Sequence, residues 1–396
     1  MPIWQCGHLY VTCTFVPIWH NTDFEHPFWD ALTMIMADWI SARVACNHSS
    51  EIAGGVMVNY KDHTNLNPDN PSAIDWFFTK PLPVVGSHDA NVRIKTSAFS
   101  GQDDTGRELH IDGNLAKFFQ GHNLFGSHDI VGLVSAFMEH LCAIPQLGLC
   151  PTDFQRQLWR SGNFQLGRVD VTSMYRLKDR NDVLSWLATA EHTTTMNYRG
   201  RGQLTKGSTL YYGKTSRYWS LKFYSKGQEV LAKGHELSLS LPSRDLLLEY
   251  AQPALRCELT LRSKQLKRID LQLAANWPRT AEGISQILQG YMQGLNMSDV
   301  RTLPAEALSS LPSGCRLAYQ TWIEGHDLKT MLAHRTFYRY RRMLMEHGVD
   351  IATVQPRENA NVVKLYRVLE AVPMDVPDWA RGTPLFFEPD ANKRTA

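Results

Sequence analysis

The sequence predicts an α+β fold: an antiparallel-rich sheet with helices on one face, followed by a mostly helical C-terminal domain. Three observations carry this. Segments of period-2 alternation recur between residues 106 and 262, separated by stretches of helical periodicity. After about residue 263 helical patterning takes over. The composition, 43% hydrophobic and 20% charged over 396 residues, is that of a globular chain long enough for two cores. The expected division is 1–270 and 271–396.

Residues 1–100 are rich in Pro, Asn, Asp and aromatics, which predicts short strands and long loops, with HTNLNPDNPS (63–72) as a turn cluster. The opening MPIWQCGHLYVTCTFVPIW has no basic start and no A-x-A site, so a folded strand is expected there, not a signal peptide. Residues 106–112 read as a strand. Ser127 is a candidate N-cap for a helix carrying Ile130, Leu133, Val134, Phe137, Met138 and Leu141 at helical spacing. Residues 165–176 read as a strand and 181–192 as a helix with Val183, Leu184 and Leu187 inward. The segments 207–213 and 218–225 flank GKTS and read as a hairpin, and 254–262 as a further strand. ISQILQGYMQGL and RTFYRYRRMLMEHG are the clearest later helices, and a Pro-rich segment at 373–389 closes the pattern.

Lys plus Arg number 41 against 39 Asp plus Glu, a formal charge of +2. A uniformly basic nucleic-acid binder is excluded, and any polyanion site must be a local patch. The seven cysteines (Cys6, Cys13, Cys46, Cys142, Cys150, Cys257, Cys315) contain no C-x-x-C pair and are widely spaced, so a reducing cytoplasm is expected and a disulfide framework or zinc ribbon is not. No apolar run reaches about 18 residues, so no membrane span is expected.

Alternation sorts four strands into two faces. Leu109, Ile111, Val169, Val171, Leu221, Phe223, Leu255, Cys257, Leu259 and Leu261 point to the core. The other face carries His110, Arg168, Asp170, Thr172, Lys222, Tyr224, Lys226, Arg256 and Glu258. Two readings of that face stand open. It is the solvated side of an antiparallel sheet with ordinary cross-strand pairs. Alternatively, His110, Asp170 and Glu258 hold Mg²⁺ or Mn²⁺ against a phosphate, Tyr224 attacks phosphorus, and Lys226 balances charge. GSTLYYGKTS is not a phosphate loop, because five residues separate Gly207 from Gly213 where four are needed. Two basic patches remain, each either solvated or phosphate-contacting: the 197–207 loop with Arg199, Arg201 and Lys206, and RTFYRYRR (335–342) with Arg339 and Arg342.

At AKFFQGHNLFGSHDI (116–130) the chain resembles the gene II replication initiators of filamentous phages and their plasmid and prophage relatives. The core of the likeness is Gln120, Gly121, His122, Asn123, Phe125 and Gly126. It continues through RVDVT (168–172), TSRYWSLKFYSK (215–226) and LRCEL (255–259), and returns in FYRYRRMLMEHGVD (337–350) and PDWARGTPL (377–385). The resemblance implies a sheet like that of rolling-circle endonucleases. It also implies a metal-dependent enzyme that nicks one strand of a double-stranded origin, leaving a 5′-phosphotyrosine and a free 3′-OH. Tyr224 and Lys226 match the family's Tyr-x-Lys pattern, and Asp170 and Glu258 match acids in its Arg-x-Asp and Arg-x-Glu strands. His110 looks like an acid in some relatives. Tyr211 and Tyr212 are rival nucleophiles. Origin DNA and single-stranded DNA are the implied ligands; the contacts expected from the polar face and the two basic patches are Arg168, Arg199, Arg201, Lys206, Lys222, Arg256, Arg339 and Arg342. A host helicase and polymerase are implied partners, and a homodimer on DNA stands as an open arrangement.

Overall fold

The computed structural model describes residues 34–49, 52, 55–60, 74–100, 105–297, 303, 305–354 and 372–389. They lie in one compact unit, Ala31–Ala396; a second unit, Met1–Asp30, falls outside them. The strand expected at the very start and the 63–72 turn cluster therefore lie outside the described residues.

In chain order, β1 (Ile35–His48) is followed by the pair β2 (Gly55–Tyr60) and β3 (Ile74–Lys80), then β4 (Leu82–Val85), β5 (Asn91–Ser100) and β6 (Thr105–Gly113). Helices α1 (Leu115–Gln120), α2 (Ile130–Cys142) and α3 (Asp153–Ser161) lead to β7 (Gln165–Arg176) and α4 (Arg180–Thr193). Five short strands come next: β8 (Thr194–Met196), β9 (Gly200–Arg201), β10 (Gln203–Thr205), β11 (Thr209–Tyr212) and β12 (Trp219–Ser225). Then follow α5 (Lys226–Glu229), α6 (Arg244–Ala251), β13 (Ala254–Arg262), α7 (Ser263–Arg268), α8 (Ala281–Met292) and β14 (Leu295–Met297). Helices α9 (Ala305–Ser310), α10 (Ser313–Ile323), α11 (Leu328–Met331) and α12 (His334–Met345) precede β15 (Val372–Pro373).

The principal sheet has the order β10-β11-β12-β13-β7-β1-β6-β5-β4, with β15 paired to β7. Every pairing in it is antiparallel. The expected sheet class is thus observed, with one correction. The region read as loops and short strands contributes β1, a 14-residue strand at the centre of the sheet. Its run IMADWISA is buried on both faces, so the alternation that betrays a half-exposed strand is missing.

Strands form where branched and apolar residues alternate, and the register confirms the core face. Val169 pairs Leu261, and Val171 pairs Leu259, which pairs Leu221 on its other side. All five are fully buried, each burial stabilising by roughly 1.5–3 kcal/mol. Helices cover this face. Trp186 of α4 meets the Phe223 ring edge-on at 5.3 Å, and Met292 at the end of α8 lies 3.7 Å from Cys257 Sγ. Helix α8, beyond the expected boundary at 270, is therefore part of the sheet's cover. Helix α2 starts two residues later than expected: the N-cap is Asp129, which accepts from Gly132 N–H at 3.0 Å, and not Ser127.

The opposite face is not wholly free. Met36 and Met174 lie on it, and they are sealed by Leu124, Phe125, Val230, Leu237, Leu247, Met374 and Val376. The QGHN segment builds this seal. Gln120 donates to the carbonyls of His122 and Phe125 and accepts from Phe387 N–H. His122 bonds Leu385 O through Nε2 at 2.9 Å and accepts Leu124 N–H at Nδ1, a neutral ring whose pKa burial pushes down to about 3. Helices α10 to α12 enclose a separate small core around Trp322, Phe337, Leu344 and Ile351.

Candidate active site

The expected polar face exists as one surface. Cross-strand register aligns Lys222 with Glu258 and Glu258 with Thr172, Thr260 with Asp170 and Asp170 with Trp39. Tyr224 lies opposite Arg256, two residues along from Lys222.

At its centre, Tyr224 Oη donates to Glu258 Oε2 at 3.3 Å. Lys222 Nζ sits 2.8 Å from Glu258 Oε1 and 4.9 Å from the centroid of the Tyr224 ring. Tyr224 is only 5% exposed, and burial holds its phenol well above the ordinary value despite the pull of Arg256. The lysine beside the tyrosine is therefore Lys222. The strand ends at Ser225, which caps α5, so Lys226 opens a helical turn instead of continuing the strand. Its ammonium pairs with Glu229 and donates to Asn123 Oδ1 at 2.8 Å. Burial lowers its pKa, partly offset by Glu229.

Asp170 is buried next to this pair and takes a bidentate contact from Arg168, with Nε to Oδ1 at 2.9 Å. Burial first, and the neighbouring Glu258 charge second, push its pKa up to about 7. His110 does not join the two acids. Strand β1 lies between β6 and β7, and His110 pairs Arg43, four residues along β1 from the Trp39 that faces Asp170. That is roughly 10 Å across and 13 Å along the sheet, too far for ligands that must each stand about 2.0–2.6 Å from one ion. His110 instead bonds Ser41 Oγ at 3.0 Å, and burial lowers its pKa, with Asp112 opposing and Lys95 and Arg43 assisting. Among the described residues no three His, Cys, Asp or Glu side chains form a metal-binding group. Asp170 and Glu258 remain as an acid pair of the kind that shares a hard cation with phosphate oxygens. Beyond burial, the charges of Glu258 and Asp38 raise the Asp170 pKa and Arg168 lowers it, so the acids stand close enough to repel one another.

Several expected DNA contacts are committed inside the protein. Arg256 is fully buried, 3.0 Å from Asp38 Oδ1, and donates to Thr172 Oγ1 and to the Asn123 carbonyl. Arg201 pairs with Asp327 at 2.6 Å and donates to Glu191 O. Arg168 and Lys222 hold Asp170 and Glu258, though both ammonium and guanidinium keep partial exposure. Arg199 lies over Trp219 at 4.4 Å. Lys206, Arg339 and Arg342 are exposed.

Sequence reasoning missed Asp38, which sits in the β1 bulge between Ala37 and Trp39 and accepts from Asn114, Asn123 and Arg256. It also missed Glu229, whose signal was its place three residues after Lys226. Of the rival tyrosines, Tyr212 points to the core and bonds Thr194, while Tyr211 pairs Lys222 on the polar face beneath Lys214.

The family described as Replication-associated protein G2P N-terminal matches residues 36–280, and that described as Replication-associated protein G2P C-terminal matches 307–384. The chain belongs to the gene II replication initiator family. The replication-associated protein G2P of Enterobacteria phage I2-2 is 36% identical over 347 residues, 86% of this chain and 95% of that protein. The residues that build the Tyr224 site, from Met36 to Arg262, all fall inside the N-terminal match, and α12 falls inside the C-terminal one. No helix among the described residues is long and apolar enough to cross a membrane.

Proposed function

We propose that this replication initiator is a site-specific DNA nicking and rejoining enzyme with Tyr224 as nucleophile. The observation that carries the reading is the buried array of Tyr224 Oη on Glu258 with Lys222 bound to the same carboxylate. Tyr224 Oη attacks the scissile phosphorus and its proton passes to Glu258. The bond from phosphorus to the 3′-oxygen breaks, that oxygen gains a proton, and a 5′-phosphotyrosine remains. Because the phosphodiester energy is kept in the new bond, attack by a 3′-OH reverses the step and closes the strand.

Lys222, and not Lys226, stands where charge develops on the phenolate and phosphate. Lys226 acts through Asn123 and Glu229 to position the turn that follows the nucleophile. Burial keeps the phenol protonated until a phosphate with its counter-charge arrives. Asp170 and Glu258 are the residues that would hold Mg²⁺ or Mn²⁺, which when bound would polarise a phosphate oxygen. In this reading strand separation and synthesis are assigned to a host helicase and polymerase, as the family resemblance implies. Incubation with supercoiled DNA carrying the cognate origin and either cation tests the reading. Nicked or relaxed circles with protein on the 5′ end are expected. Origin binding without any nick would instead make the chain a non-catalytic origin-binding or repressor protein.

A further inference from the structure

A second feature lies away from the tyrosine array. A cleft of about 320 Å³ opens between the 195–200 segment and helix α12, lined by Tyr198, Arg199, Tyr338, Arg341, Met345 and Asp350 among others. That volume is at the lower end of small-ligand sites.

One wall is a strained turn. Arg199 N–H closes on Met196 O at 3.0 Å, and Tyr198 and Gly200 both take left-handed backbone, with φ of 61° and 73°. A bulky residue is disfavoured there, and Tyr198 is 103% exposed, so its ring gives the fold no packing in return. The other wall is rigid. Arg341 is clamped to Asp350 by contacts of 2.6 and 2.7 Å, while Tyr338 and Met345 stay 44% and 48% exposed. Helical spacing places Arg335 and Arg342 on the same side as Tyr338. Arg199 lines the cleft as well, and its guanidinium lies over Trp219 and donates to Trp219 O at 3.2 Å.

We propose that this cleft takes an unpaired base of single-stranded DNA, stacked against Tyr198 and Tyr338, with Arg335 and Arg342 on the flanking phosphates. Two exposed phenol rings beside arginines suit a ligand that is flat on its faces and anionic along its backbone. A duplex hides its base faces, so the cleft selects the unpaired strand. The inference rests on the DNA-nicking reading above and adds to it the place where the unpaired strand is held.

The test is fluorescence anisotropy of a fluorescein-labelled oligothymidylate with the full chain. Tyr198→Ala and Tyr338→Ala should each weaken binding by roughly 5- to 150-fold, the range for losing one stacked base. Tyr198→Phe and Tyr338→Phe should bind like the parent, since the ring stacks and the hydroxyl does not. The salt slope should be unchanged in all four, whereas Arg342→Gln should lower it by about 0.7. Tyr198→Gly relieves the positive φ, so weakened binding in that variant comes from the lost ring and not from strain. Alanine variants that bind like the parent overturn the proposal, as does a parent chain that fails to bind the oligonucleotide. A chain that binds through these rings yet never nicks its origin keeps the cleft and loses the nicking reading. One that nicks while the alanine variants bind unchanged does the reverse.

Discussion

Replacing Asp38 with Ala should destabilise the protein by about 3–5 kcal/mol, the usual loss when one partner of a buried ion pair is removed. The magnitude follows from what Asp38 holds. Arg256 is 0% exposed and stands 3.0 Å from Asp38 Oδ1, so its guanidinium would stay buried without its nearest counter-charge. Asn114 and Asn123 would lose their acceptor as well. Burial alone would raise the Asp38 carboxyl, yet Arg256 and Lys226 hold it below the usual carboxylate range. Glu258 and Glu229 also act on Arg256, which favours the lower end of the range. Urea titration at neutral pH reads the change. At roughly 1.2 °C per kcal/mol for a chain of this length the melting temperature should fall by about 4–6 °C. The double variant Asp38→Ala, Arg256→Met should recover much of the loss, because an apolar side chain replaces the stranded charge. A loss below about 1 kcal/mol with an unchanged m-value would mean instead that Arg256 reaches solvent or DNA as its strand position suggests.

Four further outcomes follow from the same geometry. The Asp170 carboxyl is raised from its ordinary 3.8 to about 7, so the folded state holds the proton more tightly between those values and stability falls as pH rises from about 4 to about 7; Asp170→Asn should remove that component of a pH-dependent denaturation series. Asp170→Ala and Glu258→Ala should abolish nicking, whereas His110→Asn should nick within a few fold of the parent and leave Mn²⁺ affinity by calorimetry unchanged. Arg201→Gln should lower stability without moving the salt slope of DNA binding, because its charge is spent on Asp327. Arg342→Gln in a chain that melts like the parent should lower the slope for duplex origin by about 0.9, and an unchanged slope would remove α12 from the DNA surface.

Much of the sheet was legible because its strands alternate. Val169, Val171, Leu221, Phe223 and Leu259 read as inward in the sequence, and register and burial agree. The face shared by Tyr224, Asp170 and Glu258 followed from the same parity. Parity says which face a residue takes, but not which strands are neighbours. His110 is on the correct face and still stands two strands from Asp170, because β1 inserts between β6 and β7. That strand was illegible, being buried on both sides. Parity also fails where a strand stops: Lys226 was read as the partner of Tyr224, but Ser225 caps a helical turn and hands that place to Lys222. Arg256 read as a surface cation because a polar face was assumed to be wet. The 120–126 segment covers it, an arrangement that local sequence does not encode.

The central claim is that the Tyr224 hydroxyl, held on Glu258 beside Lys222, makes the bond to DNA. The most direct measurement is to trap the nicked origin with its attached protein, digest both, and map by mass spectrometry the peptide that carries the 5′-nucleotide. The adduct is expected on Tyr224, with no adduct and no nick from Tyr224→Phe even though origin binding stays within a few fold of the parent. An adduct on Tyr211, or nicking that persists in Tyr224→Phe, would contradict it.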